Sequence, residues 1–173
     1  MADAPLLALV GPTACGKTEA ALELAERLGA EIVSVDSMLV YRGMDVGTAK
    51  PTSSQRARVR HHLLDVVDPS EPFSVARYQE LGREALTAIR GRALLCGGTV
   101  LYLRAVVDDL EFPGTDPALR TALEAEAERV GAVRMYRRLV ESDPAAAAKI
   151  EAANVRRTVR ALEVAELTGR PFS

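Results

Sequence analysis

At 173 residues with 48% hydrophobic content the chain is long enough for one ordinary domain, or a domain with an appendage, around a real core. Its net charge of −2 excludes a global attraction to nucleic acid, so any such binding must rest on a local basic patch; composition neither supports nor excludes an RNA partner. Cys15 and Cys96 are the only cysteines and form no CxxC or Cys/His spacing, which argues against a disulfide framework or structural zinc and fits a reducing cytoplasm.

The opening MADAPLLALV has no basic n-region, and no run of about 18 uncharged apolar residues occurs anywhere, so neither a signal peptide nor a membrane span is expected. Leu6 to Val10 reads as a buried strand, Thr18 to Leu28 as a helix and Glu31 to Val35 as a second strand. That is a βαβ unit, which implies a parallel sheet with a right-handed crossover. Residues 40–60 read as a long loop with one short helix after Pro51, and His62 to Val67 as a third strand. Ser74 to Arg90 follows as a long helix and Ala93 to Cys96 as a fourth strand ending in Gly97-Gly98-Thr99.

The texture changes at EFPGTDP, after which everything reads as helix. Asp116 precedes Pro117 and is placed to cap a helix to Val130; others are expected at 133–142, 144–150 and 154–168, with Gly169-Arg170-Pro171 as a stop. The expected fold is therefore α/β: a P-loop NTPase-like parallel sheet flanked by helices over residues 1–110, then an all-helical subdomain over 111–173. Four strands are few for a doubly wound sheet, so the core is expected to be incomplete and its remaining strands to lie beyond residue 173.

Between the first strand and first helix lies GPTACGKT, Gly11-Pro12-Thr13-Ala14-Cys15-Gly16-Lys17-Thr18, which matches G-x-x-x-x-G-K-[ST] in the context the motif requires. Backbone N–H groups can close around phosphate oxygens there, Lys17 adds a positive charge and the Thr18 hydroxyl can reach Mg²⁺. Such a loop suits a diphosphate as well as a triphosphate, so the motif alone does not name the ligand. Asp36 falls at the C-terminal end of the second strand, the sheet edge where ligands bind, and can coordinate a metal or accept a proton, although Asp-Ser is also a common cap. The run from Asp45 to Lys50 could bring a second hydroxyl and ammonium toward a diphosphate or be a solvated turn. Gly97-Gly98-Thr99 could touch a substrate from the same sheet edge or be a plain tight turn. His61 and His62 read as structural, without a metal role. Arg156, Arg157 and Arg160, around Thr158 and Val159, could grip RNA phosphates or be solvated; Arg120 reads as an ordinary surface residue.

Taken together, GPTACGKT, VDSMLVYRGMDVGTAKP, HHLLDVVDPSEPFSVARY, CGGTVLYLRAV, DPALR, SDPAAAAKI and VRRTVRALEVAELTGRP follow, in order, the pattern of the bacterial tRNA dimethylallyltransferases. The resemblance runs from Leu6 to Pro171. It implies transfer of a dimethylallyl group from dimethylallyl diphosphate to the N6 amine of the adenosine on the 3′ side of the tRNA anticodon. On that resemblance Gly11 to Thr18 cradle the donor's diphosphate, with Lys17 neutralising the leaving group and Thr18 binding Mg²⁺. Asp36 matches the general base, Ser37, Met38 and Leu39 match neighbouring tRNA contacts, and Thr99 matches the mouth of the donor channel. Arg120 and the stretch Arg156, Arg157, Thr158, Val159 and Arg160 match tRNA contacts. The implied partners are the anticodon stem-loop and the donor, with no membrane, and the protein is expected to be a cytoplasmic monomer. The segment IEAANVRR departs from the family's IHPND pattern at 151–155, which leaves open how the last helix is capped. Three alternatives share parts of this pattern: an adenylate isopentenyltransferase, an ATP-dependent P-loop phosphotransferase, and an inactive fragment that binds without turnover.

Overall fold

A computed structural model describes residues 6–173, so residues 1–5 lie outside it. The chain divides into two compact units, Met1–Leu110 and Glu111–Ser173.

In the first unit the apolar runs form a parallel four-stranded sheet in the order β1-β4-β2-β3, where β1 is Leu7–Val10, β2 Ala30–Ser34, β3 His61–His62 and β4 Arg92–Gly97. Side chains alternate between the two faces of a strand. Ile32 of β2 and Leu94 of β4 pack with Ala21, Leu22 and Ala25 of α1 (Lys17–Leu28). Val33, Val35 and Leu95 are in the other core cluster, with Tyr78 of α3 (Val75–Ala88) and Tyr102 and Val106 of α4 (Val100–Val107). The Tyr78 and Tyr102 rings stack at 3.9 Å, and the Tyr78 hydroxyl donates to the Ser34 carbonyl at 2.8 Å. Burial pushes the Tyr78 phenol well above its ordinary range, so it stays a donor.

The third strand is shorter than the six residues that HLLDVV predicts. Leu63 (φ 62°) and Asp65 (φ 55°) adopt left-handed backbone, which strands exclude, and pairing resumes only as the isolated bridge Tyr41–Val67. The short helix expected after Pro51 is α2, Ser53–Arg58, held by a capping box between Thr52 and Gln55. Arg58 ties it to α1 through Glu26 at 2.8 Å and Glu19 at 3.2 Å.

Where β4 ends, the backbone passes so close to β2 that a Cβ on Gly97 would sit 2.4 Å from the Val35 oxygen. That oxygen accepts from Thr99 N–H, so it cannot move freely. Gly97→Ala is therefore expected to destabilise the first unit by roughly 3 kcal/mol or more in urea melts, while Gly91→Ala, 3.7 Å from its nearest neighbour, stays within about 1 kcal/mol.

The second unit packs four helices: α5 (Pro117–Val130), α6 (Ala132–Ser142), α7 (Pro144–Ala147) and α8 (Val155–Thr168). Leu123, Met135, Leu139, Ala147 and Leu162 form its core. Asp116 caps α5 by accepting from Ala118 and Leu119, with Pro117 at the first position. α7 ends three residues before the expected Ile150. Despite the altered IEAAN segment, Asn154 caps α8 by accepting from Arg157 N–H. Among the described residues no helix is long and apolar enough to cross a membrane.

Candidate functional site

The GPTACGKT segment bridges β1 and α1, and its shape follows from two left-handed residues, Ala14 (φ 64°) and Gly16 (φ 83°). Glycine adopts that backbone without strain, whereas Ala14 is held there by the loop, a form of local strain common where backbone N–H groups gather to meet an anion. Lys17 opens α1 and lies back across the loop, its ammonium donating to the Pro12 carbonyl and lying 3.7 Å from Cys15 Sγ. The positive charge is thus tethered at the helix N-terminus, where the helix dipole also favours an anion.

The loop opens into a cavity of about 340 Å³. Thr13, Ala14, Gly16, Lys17 and Thr18 line its loop side, and Asp36 lines it from the end of β2. Ala21, Ile32, Leu39, Pro51 and Leu64 make an apolar wall. Gly11, Pro12 and Cys15, expected in the cradle, are not among the lining residues; Cys15 Sγ lies 3.1 Å from where a Cβ on Gly11 would lie.

Asp36 is aimed by its own turn. One carboxylate oxygen accepts from Met38 N–H at 2.9 Å, which fixes the side chain and leaves the second oxygen without a partner among the described residues. Thr99, expected at the mouth of a channel, is not a lining residue of the cavity. Its hydroxyl accepts from Ser37 N–H at 3.0 Å and its own N–H donates to the Val35 carbonyl, so it holds the segment that carries Asp36. Met38 is exposed beside it.

The loop from Asp45 to Lys50 contributes differently from either expectation. Thr48 and Ala49 line the cavity, but the Lys50 ammonium turns away, its side chain 1% exposed between Asp45 and Asp65 at 2.8 Å each and the Tyr41 carbonyl at 2.7 Å. Burial opposes that charge, but the two carboxylates outweigh it and hold the Lys50 ammonium above its ordinary range. A cation so paired fixes the loop; it does not meet a diphosphate.

Five polar lining residues, Glu19, Ser34, Gln55, His61 and Cys96, were not apparent as site residues from sequence. Ser34 had a usable signal, since it precedes Asp36 by two on one strand and so shares its face. His61, read as structural, donates from the ring to the Val59 carbonyl at 2.8 Å while facing the cavity. Burial, with the charges of Arg56 and His62 adding to it against the bond to Val59, holds His61 below its ordinary range.

In the second unit the basic stretch splits. Arg156 and Arg157 are exposed in the first turn of α8, but Thr158 (1% exposed) and Val159 (2%) are buried in the unit and offer no surface to a partner. Arg160 is drawn in as well, donating to the Pro113 and Gly114 carbonyls and to Glu163. Arg120 is no ordinary surface arginine, because it pairs with the same carboxylate. Glu163 is 0% exposed and also accepts from Asp116 N–H. Burial would raise its carboxyl, but the two guanidinium partners win and hold it below the ordinary 4.5.

Comparison with known proteins gives a consistent picture. A family model described as IPP transferase matches residues 39–173, starting after the phosphate loop. A protein of Roseiflexus sp. (strain RS-1) named tRNA dimethylallyltransferase is 55% identical over 174 residues, covering 98% of this chain and 57% of that protein. One of the same name from Streptomyces coelicolor is 52% identical, covering 100% and 58%. Among solved structures, the tRNA isopentenylpyrophosphate transferase of Bacillus halodurans matches with a TM-score of 0.60 at 46% identity, over 96% of this chain and 57% of that one. A eukaryotic dimethylallyltransferase acting on tRNA matches with a TM-score of 0.81 at 26% identity, over 96% and 42%. The chain thus spans little more than half the length of the curated relatives it matches.

Proposed function

The chain belongs to the IPP transferase family, and on that premise we propose that it binds dimethylallyl diphosphate through its phosphate loop and transfers the dimethylallyl group to the N6 amine of the adenosine 3′ to a tRNA anticodon. The observation that carries this proposal is that the anion-binding loop, a free carboxylate oxygen of Asp36 and an apolar wall share one cavity. A volume of about 340 Å³ is at the small end of ligand pockets, which suits a short prenyl diphosphate.

The chemistry assigns a task to each residue. An adenine amine is a weak nucleophile because its lone pair is delocalised into the ring, so the barrier must fall through positioning, proton removal and leaving-group stabilisation. Loop N–H groups and Lys17 offset the negative charge that gathers on the departing diphosphate. Asp36 accepts the amine proton, and Thr99 acts through Ser37 as a positioning residue. Among the described residues no three His, Cys, Asp or Glu side chains gather to hold a metal alone. Mg²⁺ would be held by the Thr18 hydroxyl, which lines the cavity at the phosphate loop, with phosphate oxygens and water completing a coordination typical of that ion. Bound there, the ion would neutralise diphosphate charge.

Arg156 and Arg157 supply the exposed phosphate-gripping charge of the second unit, and Arg120 and Arg160 are held beside the buried Glu163. The two free thiols suit a reducing, cytoplasmic setting. The test is incubation with radiolabelled dimethylallyl diphosphate, Mg²⁺ and either an anticodon stem-loop RNA or free AMP. Label on the adenosine of the RNA is the expected result. Label on AMP alone would assign the chain to adenylate prenylation instead, and phosphate transfer from ATP would make it a phosphotransferase.

A further inference from the structure

Pro51 borders a second cavity in the first unit, an open hollow of about 650 Å³. The segment from Thr48 to Pro51 separates the two: Thr48 and Ala49 line the donor cavity, Lys50 lines the hollow and Pro51 lines both. The hollow's walls are polar. Arg42, Lys50 and Arg56 bring three positive charges to it, and Asp45 and Asp65 bring two negative ones.

Most of these charges are spent on one another. Lys50 gives its ammonium to Asp45, Asp65 and the Tyr41 carbonyl, which uses all three of its N–H groups. Asp65 takes Lys50 on one oxygen and Arg56 on the other, and Arg56 also gives Nε to the Pro51 carbonyl. Arg42 is different. Its backbone is anchored where residues 40–42 meet 65–67, its N–H donating to the Val67 carbonyl at 2.9 Å. Its exposed guanidinium makes a single bond, from Nη2 to the Val66 carbonyl at 3.1 Å, and no carboxylate pairs with it among the described residues. Asp68 is close enough to feel that charge, yet its carboxylate bonds to Ser70. Most of the five guanidinium donors therefore stay open, and the exposed Ser53 hydroxyl lines the same hollow. One positive charge in surplus and an unspent guanidinium fork select an anion, and the fork fits two phosphate oxygens at once.

We propose that Arg42 and this hollow hold a phosphodiester of the RNA strand that carries the target adenosine. The adenine amine must meet Asp36 at the donor cavity, so its strand runs past the partition that the two cavities share. A hollow about twice the size of the donor cavity is more than one small anion fills, whereas a strand brings its phosphate together with the flanking sugars. Phosphate contacts of this kind fix the register of a strand without reading its bases. The inference rests on the RNA prenylation proposed above and adds to it the grip of the first unit on its substrate.

The test is equilibrium binding of an anticodon stem-loop RNA to this chain, together with transfer of label from dimethylallyl diphosphate to that RNA. Arg42→Gln is expected to weaken RNA binding by about 10-fold and to leave the affinity for dimethylallyl diphosphate unchanged. The slope of log K against log salt should flatten by about 0.7, the value for one phosphate of a single strand. Arg42→Lys, which keeps the charge but not the fork, should keep the wild-type slope and recover part of the affinity. RNAs with one linkage made neutral as a methylphosphonate, at each position around the adenosine in turn, locate the contact. One of them should weaken binding to the wild type and have no further effect on Arg42→Gln, and thermal melting checks that the variants are folded. RNA affinity and salt slope unchanged in Arg42→Gln, or a wild type indifferent to every neutral linkage, would overturn the inference and leave RNA prenylation standing if transfer persists. Saturable binding of inorganic phosphate that Arg42→Gln abolishes without weakening RNA binding would also overturn it, by giving the hollow to a free anion. A wild type that neither binds nor prenylates the RNA would overturn the proposed function together with the inference.

Discussion

Asp36→Asn is expected to lower the rate of prenyl transfer by about 10²–10⁴-fold while changing donor affinity by no more than about 3-fold. The substitution is chosen because Asn keeps the turn. Its side-chain oxygen can accept from Met38 N–H as the Asp36 carboxylate does, and the brace from Thr99 to Ser37 does not involve residue 36. What is lost is the oxygen able to take a proton. A fall in kcat at unchanged donor affinity, measured by single-turnover transfer and equilibrium binding, is the signature of a group that acts in the transition state. Transfer at the normal rate in this variant would remove Asp36 as the base.

Glu163→Gln is expected to destabilise the helical unit by about 3 kcal/mol, since removing one member of a buried ion-pair cluster leaves the others without their counter-charge. Three elements depend on that carboxylate: the segment around Gly114 and Asp116, α5 through Arg120, and α8 through Arg160. Arg120 already has one buried nitrogen, Nε, with no partner among the described residues, which sharpens the penalty for losing its main contact. The same carboxylate gives a pH dependence of definite sign. Its pKa is depressed in the folded chain, so its contribution is fully present above the unfolded value near 4.5 and is lost as pH falls below it. Helicity at 222 nm should therefore fall as the wild type is taken below pH 4.5, and Glu163→Gln should be less stable at neutral pH with a shallower acid dependence. Asp143 keeps part of that dependence in the variant. Its burial raises the carboxyl, but N–H groups of Ala146 and Ser173 outweigh this and hold it below its ordinary range.

Local signals in the sequence carried much of this structure because each had a short-range physical cause. Gly16 before Lys17, Asp116 before Pro117 and the β-branched, apolar run EIVSV specify their own backbone, and those elements form within a residue or two of expectation. The features that were not legible depend on partners distant in the chain. HLLDVV has strand composition, yet Asp65 leaves the sheet to meet Lys50 and Arg56, fifteen and nine residues away, and the backbone turns left-handed to let it. Arg160 and Arg120 look like solvated or RNA-facing charge until Glu163, forty-three residues from Arg120, is found buried between them. Within the candidate site the phosphate loop and Asp36 were visible as motifs, whereas His61 reaches the cavity only through the β2–β3 register.

The central claim is that this phosphate loop serves a prenyl diphosphate despite its likeness to a nucleotide site, and competition for the cavity tests it most directly. With labelled dimethylallyl diphosphate bound in the presence of Mg²⁺, inorganic diphosphate is expected to displace it, whereas ATP at equal concentration is not. Displacement by ATP at lower concentration than by unlabelled dimethylallyl diphosphate, accompanied by release of its γ-phosphate, would contradict the claim and return the chain to the nucleotide-dependent P-loop enzymes.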